Sequence, residues 1–239
     1  MINKKLLSCW AVFVFLVGSC APAGSKYPPN KPFSPVVDLK YIDLSPFSGV
    51  PCAAPCWHNL LIDKSTKEET LVTLGTLGFI DLASIKETTT GYWDPSYESH
   101  DSVWARSILA DCKEPSGVRC YQFEFLNNIL KSILIFPNYT ITLQNAVEYF
   151  GTPTCVSLFE WGAECAGCGI AFSWDNRQIS VSVLDTRCGD GTDLCVSIRH
   201  GGKIPPDYVV QVINYYSQAW VDNNVQECFQ WSGFDETNP

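Results

Sequence analysis

Apolar and polar positions along the chain fall into two rhythms, and each change of rhythm marks an element. Thr66–Leu77 and Thr142–Pro153 read as helices, and in the second Leu143, Ala146, Val147 and Phe150 share one face. Ser65 or Thr66 can cap the first helix, with Glu68 or Glu69 completing a capping box, and Thr142 can cap the second. Gly75 and Gly151 stand where a left-handed C-terminal cap belongs, and Pro153 bars continuation.

The other rhythm has period two. Val103–Leu109, Cys120–Phe125 and Ile129–Phe136 follow the first helix as strand signals, and Val156–Phe159, Ile170–Trp174 and Ile179–Leu184 follow the second. Tyr121-Gln-Phe-Glu-Phe and Ile170-Ala-Phe-Ser-Trp alternate apolar with polar and then turn at asparagine, which implies an antiparallel meander with one buried face. Thr66–Leu77 lies on Thr142–Pro153 without a gap: the first threonine, the glycine and the next threonine coincide, and Leu74 matches Phe150. The expected fold is therefore α+β. Two tandem repeats of a helix packed on an antiparallel β-meander, about 51–137 and 138–204, share one core. Pro205-Pro206-Asp207 then starts a C-terminal helix over about 207–221, with Val209, Val212, Ile213, Tyr216 and Trp220 inward, and a tail within 205–239 is pinned by Cys228. Val36–Leu44 is expected as a short edge strand.

The N-terminus carries a different signal. Lys4 and Lys5 precede the apolar run Leu6–Val17, which is shorter than the roughly 20 residues a spanning helix needs. Val17-Gly18-Ser19-Cys20 follows and resembles the bacterial lipobox, in which the cysteine becomes the first mature residue and carries lipid. Residues 1–19 are thus read as a lipoprotein signal peptide, with Cys20 as the lipidation site. Residues 20–50, rich in proline, are read as a tether, and 51–239 as a single domain. Two or more acyl chains anchor a protein stably without a transmembrane helix. Ala21, where aspartate is absent, resembles the outer-membrane sorting pattern if the host has two membranes.

Charge narrows the choice of partner. The chain has 16 basic and 25 acidic side chains, and loss of residues 1–19 leaves 14 against 25, a net charge of −11. That balance disfavours nucleic acid and electrostatic docking on anionic lipid. Ten cysteines remain after Cys9 and Cys20, an even number that reads as a disulfide framework in an exported chain. Cys112 with Cys120, and Cys188 with Cys195, each flank a short turn and are expected to pair. Cys52, Cys56, Cys155, Cys165, Cys168 and Cys228 stay unassigned.

Candidate chemistry is sparse. Cys165-Ala-Gly-Cys168 has redox spacing but leads into a strand, whereas a lowered thiol pKa wants a helix N-terminus. The same cysteines with His58, His100 or His200 lack the paired spacing of a zinc site. Asp185, Asp190 and Asp193 lack the EF-hand pattern and its closing glutamate. His100, Asp101 and Ser102 are adjacent and cannot form a triad. Glu68-Glu69 reads as a helix start favoured by the dipole, not as a glycosidase pair. No catalytic residue, metal or cofactor is expected. Tyr92 and Trp93 in a Gly/Pro/Ser-rich loop (87–102), and Trp161 in another (160–168), are candidate anchors for a partner.

Thr142-x-x-Asn-Ala-x-x-x-Phe-Gly-Thr-Pro153 resembles the helix motif of the SmpA/OmlA (BamE) small outer-membrane lipoproteins. Tandem copies of a similar unit build the β-lactamase inhibitor protein. Pro51-Cys52, Pro55-Cys56-Trp57, the Ser-Thr-Lys-Glu-Glu helix start and Trp231-Ser-Gly-Phe234 look like a group of uncharacterised bacterial lipoproteins. The resemblance spans two twelve-residue segments and the strands after them. The glycine usual just before the motif threonine is absent, with Lys64 and Thr140 standing there, and the ten cysteines are foreign to the outer-membrane family. It implies protein–protein binding without catalysis, hence a lipid-anchored envelope binding or scaffold protein with a protein partner and a membrane anchor. The rival expectations are an extracytoplasmic hydrolase acting on wall or glycan, and a purely structural envelope protein.

Overall fold

Eight antiparallel strands form one sheet in the computed structural model, which describes residues 38–92, 103–161, 167–185, 198, 201–217 and 228–234. All of these belong to one compact unit, Pro32–Pro239. The strands are β3 (Ile80–Tyr92), β4 (Val103–Cys112), β5 (Arg119–Leu126), β6 (Ile129–Ile135), β7 (Cys155–Trp161), β8 (Gly167–Trp174), β9 (Ile179–Asp185) and β10 (Val212–Tyr216), in the order β3-β4-β5-β6-β10-β9-β8-β7. A two-residue-stranded hairpin, β1 (Cys56–Trp57) with β2 (Leu60–Leu61), stands apart from it. The helices are α1 (Ser45–Ser48), α2 (Lys67–Leu74) and α3 (Leu143–Phe150). The chain is thus mixed α+β, with a large antiparallel sheet, few helices and disulfides.

Alternation explains the sheet. Ala110, Tyr121, Ile135, Ile213, Val181, Phe172 and Val156 are directly opposed from β4 across to β7, and all are buried. Leu74 of α2 and Leu143, Ala146 and Phe150 of α3 join the same core. The alternate row is mostly polar, with Gln122, Leu134, Asn214, Ser180 and Ser173 in register. One apolar face and one polar face fix the register, because a one-residue slip would exchange them.

Both long helices start on a capping box. Thr66 Oγ1 accepts from Glu69 N while Thr66 N donates to Glu69 Oε2, and Thr142 with Asn145 repeats the exchange. At α3 two further N–H groups that a helix start leaves unpaired, those of Leu143 and Gln144, donate to the carbonyls of Tyr208 and Pro206. Neither of the left-handed caps expected at the helix ends is found: Gly75 has φ −60° and ψ −19°, and Gly151, at φ 86° and ψ −164°, has positive φ but lies outside the left-handed helical region.

The expected C-terminal helix over about 207–221 is corrected. Val212–Tyr216 is strand β10, paired with β6 on one side and β9 on the other in the middle of the sheet. Val, Ile and Tyr favour a pleated surface, and the two flanking strands satisfy both sides of the backbone, which a helix over this segment would leave open. The expected loop at 87–102 is strand as far as Tyr92, and the one at 160–168 holds the ends of β7 and β8. β3 escaped the period-two reading because its register shifts between Asp81 and Lys86. Ser84 Oγ donates to Asp81 O and accepts from Asp111 N, holding that bulge.

Nor is residue 38–44 a strand. Leu39–Tyr41 is a turn of 3-10 helix and α1 follows it, so residues 38–50, read as tether, are bonded to the body. Asn138 Nδ2 donates to Tyr41 O, Tyr139 OH to Asp43 O, and Phe47 packs on Tyr149 and Phe150 of α3.

Candidate functional site

Two places gather side chains in a way that bears on function. The first is a polar node around Asp43, which is only 4% exposed. His58 and Asn59 form the turn of the β1–β2 hairpin with φ of 46° and 66°, and the turn sets His58 Nε2 3.2 Å from Asp43 Oδ1. Trp57 Nε1 donates to Asp43 Oδ2 at 2.9 Å, Tyr121 OH to the same oxygen at 3.3 Å, and Ser45 N to Oδ1 at 2.9 Å. Burial pushes the Asp43 carboxyl up, but the bonds from His58 and Ser45 outweigh it and leave the pKa below the ordinary value. Burial, then the Asp43 charge, hold the Tyr121 and Tyr139 hydroxyls protonated well beyond their usual range.

A carboxylate orienting an imidazole is half of a nucleophilic triad. The other half is missing among the described residues, where no hydroxyl or thiol is bonded to His58. Cys52 and Cys56, its near neighbours in sequence, are joined in a disulfide. The node therefore acts as a clip: it holds residues 38–50 against β1 and β5.

The second place is a groove of about 600 Å³ beside α2 and β2. Leu61 and Val72 line it and are 38% and 72% exposed. Its carboxylates have structural tasks. Glu69 closes the capping box, and Glu68 accepts from Asn128 Nδ2 at 2.8 Å, which lowers its pKa. A smaller hollow of about 350 Å³ lies at the C-terminal end of α2, beside the β3 bulge, with Leu82 and Lys113 on its wall.

Few of the site residues expected from sequence are brought together. Cys112 and Cys120 form a disulfide between β4 and β5, and Cys155–Cys228 ties the tail to β7. Tyr92 ends β3 and Trp161 ends β7, at opposite edges of the sheet order. Cys168 lies in β8 and Asp185 ends β9. Cys20, Trp93, His100, Asp101, Ser102, Cys165, Cys188, Asp190, Asp193, Cys195 and His200 lie outside the described residues. Among the described residues no group of His, Cys, Asp or Glu gathers to hold a metal ion, and no helix is long and apolar enough to cross a membrane. The disulfides are consistent with an extracytoplasmic location.

Asp43 is the residue that sequence reasoning missed. Its partners lie 14, 15 and 78 residues away, and no local spacing signals them. The one available hint was an aspartate among the apolar residues of 41–47.

No family model matches the chain, and neither does any curated protein or solved structure.

Proposed function

We propose that this chain is a lipid-anchored, extracytoplasmic binding or scaffold protein of the bacterial cell envelope, without catalysis of its own. The groove beside α2 carries the reading. It presents exposed Leu61 and Val72, and the carboxylates next to them are already spent on a helix cap and on Asn128. Exposed apolar side chains in a concavity suit a protein partner. The lipobox-like Val17–Cys20 supports the anchor, and the resemblance to two families of binding proteins supports the absence of catalysis.

The same proposal includes a duplicated architecture. α2 precedes four strands, β3 to β6, and α3 precedes β7 to β9, with β10 standing where the fourth strand of a second unit would lie. The order 3-4-5-6 followed by 10-9-8-7 is that of two like meanders joined through their last strands. Matching capping boxes on α2 and α3 add to this.

The test is capture from the host envelope with the wild-type chain and with Val72→Glu. One envelope protein should co-purify stoichiometrically with wild type and drop at least about tenfold with the charged variant, as expected for a desolvated contact. Turnover of wall or glycan fragments, lost in His58→Ala, would replace this reading with the hydrolase. Mass spectrometry of the mature N-terminus should find acylated Cys20; an unmodified later terminus removes the anchor.

A further inference from the structure

Residues 38–50 open the described chain, and their surface is unusually apolar. Among the described residues, three of the seven exposed large apolar side chains fall on this short stretch: Leu39 at 77%, Leu44 at 52% and Val50 at 67%. Tyr149 of α3, another of the seven, lies beside it, with its ring edge-on to Phe47 at 5.8 Å. Pro51 and Ala53 extend the exposed apolar run.

Net charge is missing from the same surface. Asp38 and Lys40 neutralise each other at 2.8 Å, and Asp43 is buried among Trp57, His58 and Tyr121. From 41 to 57 there is no other charged residue, in a chain of which 17% is charged. Uncharged apolar side chains enter the boundary between lipid headgroups and acyl chains, and they hold there in proportion to the area they bury.

The position of the stretch in the chain names its occupant. Residues 38–50 are bonded to the body through Tyr41, Asp43 and Phe47, so only residues 21–37 separate it from Cys20. That length reaches at most about 60 Å at full extension. A lipid on Cys20 keeps the stretch close to the bilayer and makes its contact with lipid intramolecular, so a weak apolar surface is enough.

We propose that residues 38–53 form a membrane-contact surface, which seats Leu39, Leu44 and Val50 in the apolar boundary of a neutral phospholipid bilayer. The contact is apolar rather than electrostatic, in keeping with a net charge of −9, and it uses none of the residues that line the groove at Val72. This inference rests on the reading of Cys20 as lipidated.

The experiment places the full acylated chain in phosphatidylcholine vesicles whose acyl tails carry a diazirine, and maps photo-crosslinks by mass spectrometry. Crosslinks should concentrate in 38–53 and persist from about 0.05 to about 0.5 M salt, where screening removes electrostatic attraction. The combined Leu39→Ser, Leu44→Ser and Val50→Ser variant should stay on the vesicles through its lipid, keep its urea midpoint and lose about tenfold of the crosslinks. On a Cys20→Ser background, without acylation, the parent chain should bind the same vesicles about tenfold better than the three-serine variant. Equal binding of those two, even crosslinking along the chain, or crosslinks at Leu61 and Val72 instead, overturns the contact surface and leaves the anchor standing. Crosslinks that vanish at high salt overturn the apolar contact. A dimer of the Cys20→Ser chain in sedimentation, abolished by the three serines, overturns the membrane in favour of a second copy. An unmodified Cys20 removes the anchor and this inference together.

Discussion

A carboxylate buried as deeply as Asp43 is tolerated because four donors replace its water. Removing the charge while keeping the shape, Asp43→Asn, should cost about 2 kcal/mol at neutral pH, since hydrogen bonds to charged groups contribute about 1.5–3. The pH dependence has a definite sign. The folded-state pKa of Asp43 lies below the ordinary carboxylate value, so its contribution is complete above the unfolded pKa of about 3.9 and declines as pH falls through the folded value. Urea denaturation should show the gap between wild type and Asp43→Asn constant from pH 7 to about 5 and narrowing below about 4. A gap that widens toward acid would mean that Asp43 is not held ionised. Apart from the apolar neighbours of Asp43, nothing in the sequence marks this role, because Trp57, His58, Tyr121 and Tyr139 meet it only after the hairpin, β5 and the segment before α3 are in place.

Strands β4 to β9 could be read from the chain because each buries one face, and alternation leaves a trace in composition. α2 and α3 could be read from their caps, which are local. β10 could not. Val209, Val212, Ile213, Tyr216 and Trp220 fit a helical stripe, while Val212–Tyr216 alone is also a good strand, and only the gap between β6 and β9 decides between them. Ile213 is fully buried at that junction. Ile213→Ala should therefore cost about 2–5 kcal/mol in chemical denaturation, the range for emptying a core position. A loss below about 1 kcal/mol would place the residue outside the core.

At the scale of the molecule, cross-links and edges matter most. Cys155–Cys228 closes a separation of 73 residues and Cys52–Cys56 one of 4. Chain entropy alone gives the first about 4 kcal/mol and the second about 2. Cys228→Ala should thus destabilise the chain more than Cys52→Ala, and it should also expose the β7 edge, seen as faster amide exchange at Val156. Equal effects of the two would show that the tail adds nothing to the sheet. Some properties followed from the sequence alone, because they depend on neighbours in the chain: the capped helices, the alternating strands, the acidic charge and the wealth of cysteine. The tertiary structure decided the placing of β10, the Asp43 clip, the partner of Cys228 and the bonding of the tail to the β7 edge. Each of these joins residues far apart along the chain, so its energy exists only once the sheet has formed and leaves no periodic mark on the residues that make it.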